Sequence, residues 1–195
     1  MRARRSSCAI APTTRAQELL AKTGPELSCV VNNAAAQPVS DIRDVSGADW
    51  RAVIAAKLDS AFYVTQAAAT QRRQRKTAGA VVNSASIEGS DPASGHSHYA
   101  TSKAGLLMLT RACALEYGQD SIRFNSVSPG LIERDGLADS WPEGVERWLD
   151  SVPLGRMGSA ADVANAVLYL LSPAARWISG TNLVVDGGIS AVSRW

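Results

Sequence analysis

The chain has 195 residues, 46 % of them hydrophobic and 19 % charged, with a formal net charge of +2. That length is enough for one domain with a sizeable core, and so small a charge, scattered along the chain, argues against a nucleic-acid-binding surface. No apolar run approaches the ~18 residues of a membrane-crossing helix, and three distant cysteines with two histidines make neither a disulfide framework nor a metal cluster.

In chain order, the start, "MRARRSS", is too weakly apolar for a secretory signal, and free thiols at Cys8, Cys29 and Cys113 suit a reducing, cytoplasmic compartment. Residues 14–22 read as a helix stopped by Gly24 and Pro25. "LSCVV", 27–31, is a short β-branched run that reads as a buried strand. From Asp49 a helical stripe runs through Trp50, Val53, Ile54, Leu58, Ala61 and Phe62, with Lys57 on it. Lys57 either points inward, which is costly for an ammonium, or snorkels at a crevice edge. "QRRQRK", 71–76, reads as a solvated helix end.

A strand begins at Gly79 in "GAVVNSAS", a helix runs from about Tyr99 to Tyr117 and stops at Gly118, and "IRFNSV" at 122–127 is the next strand. Ser159, with Asp162 three residues on, starts a helix that stops before Pro173. "TNLVVDGG", 181–188, is the last strand. Strands alternating with helices define an α/β fold with a mostly parallel sheet. In the helix from Tyr99, Leu106, Leu107, Met108, Leu109, Ala112, Cys113, Ala114 and Leu115 run around nearly the whole circumference. One face covers the sheet, and the other calls for a partner, most simply a like subunit.

Ser86 stands at the C-terminal end of its strand, where ligands sit in open α/β sheets. Tyr99 opens the next helix, Lys103 lies one turn further on the same face, and Pro129-Gly130 turns the chain at the same rim. Taken singly, Ser86 is a strand-end polar residue and Tyr99 a first-turn helix residue. A Tyr-x-x-x-Lys pairing arises by chance in roughly one chain in three of this length, so only its neighbours give it meaning. Taken together, the four features put a phenol, a hydroxyl and an ammonium in one crevice. A free tyrosine has a pKa of about 10, and a nearby ammonium is expected to lower it.

These pieces resemble the short-chain dehydrogenase/reductase family, close to its 3-oxoacyl-carrier-protein reductases. "VVNNAA" is similar to the family's N-N-A-G strand end, "NSAS" to its serine strand and "YATSK" to Y-x-x-x-K. "IRFNSVSPGLI" and "VDGG" are similar to its two last strand ends, and "PLGRMGSAADVANAVLYLLSP" to the stretch between them. The resemblance runs from about residue 8 to 189. It implies a three-layer Rossmann-like parallel sheet and hydride transfer between NAD or NADP and a ketone or secondary alcohol. It further implies Ser86, Tyr99 and Lys103 as catalytic residues, and Asn32, Asn33, Ala34, Tyr99, Lys103, Pro129, Gly130 and Ile132 along the cofactor. Asn32 and Asn33 have a second reading, as residues that only bond backbone at the strand end. The family also implies a homodimer or homotetramer.

Four departures stand out. Ala35 and Arg134 replace the usual glycine and threonine, and Lys57 replaces an asparagine that the family uses in a water relay to the active lysine. The T-G-x-x-x-G-x-G turn that seats a pyrophosphate has no counterpart, nor do the family's first strands. Residues 1–195 are therefore expected to form a single, partial domain. It is either a fragment of a longer reductase or a truncated, non-catalytic form that acts only through dimerisation, with "SSCAIA", 6–11, covering the exposed strand edge. Residues 135–157 fall at the family's substrate lid, where Trp141 and Trp148 either line a pocket or pin the lid.

Overall fold

The computed structural model describes residues 16, 18–20, 22–23, 27–34 and 37–192. Cys8, the 6–11 segment and Ala35 lie outside the described residues, as does part of the 14–22 helix, of which residues 16 and 18–20 are helical.

Four short strands, β1 (Cys29–Asn32), β2 (Gly79–Ser84), β3 (Ile122–Pro129) and β4 (Asn182–Val185), form one sheet in the order β1-β2-β3-β4. Every pairing is parallel, with Asn32 opposite Asn83, Ser84 opposite Val127 and Pro129 opposite Val185. Successive side chains point to opposite faces of a strand, and β2 uses both. Val81 packs with Phe124, Ile122, Ala69 and Cys113 on one face, while Val82 packs with Val127 and Leu170 on the other. Both faces are therefore dry, which explains why the strands read as apolar runs without alternation.

The first face is covered by α2 (Ser60–Arg75) and α3 (Ser97–Tyr117), and α1 (Gly47–Ile54) packs against α3. The second is covered by α6 (Ala160–Leu171), and α4 (Leu137–Ser140) and α5 (Pro142–Ser151) follow β3. The result is the three-layer parallel α/β architecture expected from the sequence. The Ser159 hydroxyl accepts from Asp162 N and the Asp162 carboxylate accepts from Ser159 N, the capping box that opens α6. At the other end the Arg123 guanidinium donates to the carbonyls of Leu170, Leu171 and Ser172, filling acceptors that the helix terminus leaves open.

The stripe expected from Asp49 is not one continuous helix face. Ser46 caps α1 through Asp49 N, and Ala55–Asp59 form a π turn before α2 begins. The wider turn shifts the phase of the pattern. Val53, Ala55, Lys57 and Ala61 go inward, whereas Trp50 and Phe62 end at the surface. Helix α3 starts two residues earlier than the apolar pattern suggests, at Ser97, and leaves Met108 and Leu115 exposed. Among the described residues no helix is long and apolar enough to cross a membrane.

Candidate active site

The crevice lies at the C-terminal edge of the sheet. After Ser84 the chain stays extended, held by Ala85 N donating to Val127 O at 2.8 Å. Ser86 then caps a 3-10 turn at Ile87–Gly89, its hydroxyl accepting from Glu88 N at 3.1 Å. Gly89 lets this turn close on α3, since a Cβ there would lie 3.1 Å from the Lys103 carbonyl carbon and 3.2 Å from Ala104 N. The hydroxyl of Ser86 is thereby held at the first turns of α3.

Those first turns are fixed from inside. His98 is buried, and its Nδ1 accepts from Tyr99 N at 3.0 Å, satisfying a donor that a helix start leaves free. Ser102 donates to the Tyr99 carbonyl at 2.6 Å. Beneath lies a polar ladder. Asn32 donates to Asn83 (2.8 Å) and Thr65 (3.1 Å), and Asn83 donates to Thr110 (2.8 Å), which donates to Leu106 O (2.8 Å). Asn83, Thr65 and Thr110 are buried, so the ladder ties β1, β2, α2 and α3 together directly under the crevice.

Ser86, Tyr99 and Lys103 come together. The Tyr99 phenol is hydrogen-bonded to Ser86, and the Lys103 ammonium lies 5.6 Å from the centroid of its ring. Lys103 is 4 % exposed and donates to the Ser84 carbonyl. Burial, and then the charge of Lys57, lower its pKa to about 8. Lys57 settles the choice left open by its sequence position. It is 3 % exposed, its Nζ stands 4.9 Å from the Tyr99 ring centroid, and it has no hydrogen-bond partner among the described residues. Burial lowers its pKa as well.

The expected acidification of Tyr99 is not found. Burial pushes the phenol above its ordinary value, the hydrogen bond from Ser86 pulls it back, and the Glu88 carboxylate pushes it up again. Neither ammonium is among the causes of that shift, although both lie over the ring.

The residues expected along a cofactor rim this crevice unequally. Asn33 and Ala34 are exposed just past β1, and Pro129 at the end of β3 is half-buried, as are Gly130 and Ile132 just past it. The Asn32 amide is committed to Thr65 and Asn83, so it bonds side chains rather than the strand-end backbone. Trp148 closes over Gly130, where a Cβ would meet its Cη2 at 2.6 Å, and Trp141 stacks on Gly144 in the same way. Trp148 pins the 135–157 segment to the body at Gly130, whereas the Trp141 contact lies within the segment itself. The motif reading missed Asn83, Thr110 and His98, along with a Glu88–His96–Gln37 cluster beside Tyr99. The one visible signal was an asparagine inside an otherwise apolar strand.

A family model described as Enoyl-(Acyl carrier protein) reductase matches residues 11–190. A probable 2,4-dienoyl-CoA reductase of Bacillus subtilis (strain 168) is 37 % identical over 166 residues, covering 83 % of this chain and 65 % of that protein. A 3-oxoacyl-acyl-carrier-protein reductase of Chlamydia muridarum is 35 % identical over 181 residues, covering 91 % and 71 %. Among solved structures, a 4-hydroxyisoleucine dehydrogenase complexed with NADH superposes with a TM-score of 0.85 at 27 % identity, over 95 % of this chain and 80 % of that one. The chain belongs to the short-chain dehydrogenase/reductase family. It spans about two thirds of the length of the curated relatives it matches.

Proposed function

We propose that residues 1–195 form a single domain that carries the proton-transfer site of an oxidoreductase, moving a hydride between NAD or NADP and a ketone or secondary alcohol. The observation that carries this reading is Tyr99, hydrogen-bonded to Ser86 and faced by the buried Lys103 amine. The names of two relatives point the same way, a 3-oxoacyl-acyl-carrier-protein reductase and a 4-hydroxyisoleucine dehydrogenase, whereas that of the 2,4-dienoyl-CoA reductase describes reduction of a carbon–carbon double bond.

The residues present fit the nicotinamide end of such a cofactor. Lys103 carries a buried amine, Asn33, Ala34, Pro129, Gly130 and Ile132 stand at the C-terminal ends of β1 and β3, and these residues with Tyr99 would hold that end. Asn32 contributes through its backbone alone, its amide being spent on the ladder. When bound, the nicotinamide supplies or accepts the hydride.

In the reducing direction Tyr99 gives its phenolic proton to the substrate oxygen as negative charge develops there; in the oxidising direction it takes that proton back. Held above its ordinary pKa, the phenol is protonated at neutral pH, the form that the first direction needs, although it is a weaker acid than a free tyrosine. Ser86 holds the substrate oxygen beside the phenol. Lys103, with a pKa of about 8, resupplies the proton at neutral pH. The test is nicotinamide absorbance during incubation with a panel of ketones. Turnover that falls at least about a hundredfold in Ser86→Ala supports the reading, and turnover indifferent to that change overturns it.

A second reading, a non-catalytic protein acting through dimerisation, is favoured by Met108 and by Leu115, 84 % exposed, on α3. Sedimentation of a Leu115→Glu variant tests that interface. A dimer with no turnover would select this second reading.

A further inference from the structure

Three polar side chains from two loops meet beside Tyr99. Glu88 accepts from Gln37 Nε2 on one carboxylate oxygen, at 2.9 Å, and contacts His96 Nδ1 on the other, at 2.7 Å. The Gln37 amide also lies 3.3 Å from His96 Nδ1. The His96 ring stands edge-on to Tyr99, with centroids 6.0 Å apart. Glu88 sits two residues past Ser86 and its charge is felt at the phenol. The two loops are clamped together by Ser40 N donating to Gly95 O at 2.9 Å, and Gly95 holds a positive φ of +79° there. The side chains of Glu88 and His96 are each 16 % exposed, so these two line the wall of the crevice, with Gln37 exposed at its outer edge.

The spare hydrogen-bonding capacity of this wall is mostly accepting. Each carboxylate oxygen has a second lone pair beyond the one its neighbour uses. If His96 donates Nδ1–H to Glu88, the neutral ring offers Nε2 as an acceptor, and the Gln37 amide oxygen is another. Such a wall satisfies a ligand that brings O–H donors. Against a ligand that brings only acceptors, or a negative charge, its lone pairs are desolvated and left unpaired.

We propose that Glu88, His96 and Gln37 are specificity-determining residues that read hydroxyl groups, selecting neutral polyhydroxylated alcohols and their keto forms over acyl thioesters and simple alkyl alcohols. This rests on the reading of Tyr99 as the proton-transferring residue, which places the substrate against this wall.

The test uses the 195-residue chain without nucleotide. The chain has only two histidines, so the His96 Cε1–H resonance is assigned by its loss in His96→Gln. Xylitol, 2-pentanol and the N-acetylcysteamine thioester of acetoacetate are titrated in turn. The expected result is a saturable shift with xylitol at an apparent Kd at least about tenfold below those of the other two, weakened at least about tenfold in Glu88→Ala. Gln37→Ala, at an exposed position, repeats the test should Glu88→Ala fail to fold. The proposal is overturned if xylitol leaves the resonance unmoved, if 2-pentanol or the thioester binds as tightly, or if the substitutions change nothing. Because the titration needs no turnover, a chain that binds xylitol yet never transfers hydride would sink the proposed function and leave this inference standing.

Discussion

Lys57 and Lys103 present their ammonium groups to one aromatic ring, that of Tyr99, at 4.9 and 5.6 Å from its centroid. Two like charges in so dry a place oppose each other. Lys57 has no hydrogen-bond partner among the described residues, and its charge is, after burial, the second cause that eases proton loss from Lys103.

Removing that charge should therefore raise Lys103. In Lys57→Met its pKa is expected to climb from about 8, yet remain below 10.5 because burial is the larger cause. Heteronuclear NMR of the lysine ε-methylene reads the change directly. An unmoved Lys103 would mean that the two amines do not communicate.

Stability should depend on pH through the same residue. Unfolded, Lys103 keeps its proton up to its ordinary value of 10.5; folded, it loses it near 8. Below about 8 both states are charged and the folded state bears the full cost of the buried ammonium. Above that the unfolded state binds more protons, so stability rises with pH, by about 1 kcal/mol from pH 8 to 9. From about pH 9 the Cys113 thiol, raised by burial to about 11, acts in the opposite sense. Urea unfolding at pH 7.5 and 9 should show the rise in the native chain and not in Lys103→Met.

Local features were legible in the sequence. The strands, the Ser159–Asp162 cap and the grouping of Ser86, Tyr99 and Lys103 follow from short spacings and apolar runs. The π turn at Ala55–Asp59 was not, because one residue more per turn leaves the same composition and only shifts the phase. Nor was the ladder from Asn32 to Thr110, whose partners come from elements far apart in the chain. The direction of the Tyr99 shift was hidden for a different reason. It depends on how dry the phenol is and on where the ammoniums sit around it, and spacing encodes neither.

The ladder itself should be costly to break. Thr110→Val deletes the oxygen that accepts from Asn83 Nδ2 and leaves a buried amide donor unpaired, for about 1–3 kcal/mol. Thr110→Ser should lose less. Denaturant midpoints of the two variants check this, and a Val variant as stable as the parent would show that the ladder is dispensable.

Gly130 should tolerate no side chain. An added Cβ would meet Trp148 Cη2 at 2.6 Å and the Asp186 backbone at 3.0 Å. Overpacking of this kind costs about 1–3 kcal/mol. Trp148→Leu relieves the ring contact and not the Asp186 contact, so a double-mutant cycle on thermal unfolding should recover only part of the loss.

The claim on which the functional account turns is that the Tyr99 hydroxyl carries the proton. Tyr99→Phe removes one oxygen from a ring already seated against two lysines. Steady-state hydride transfer should lose about a hundredfold to ten-thousandfold in kcat with KM little changed. A Phe variant that keeps kcat within threefold of the parent would contradict it.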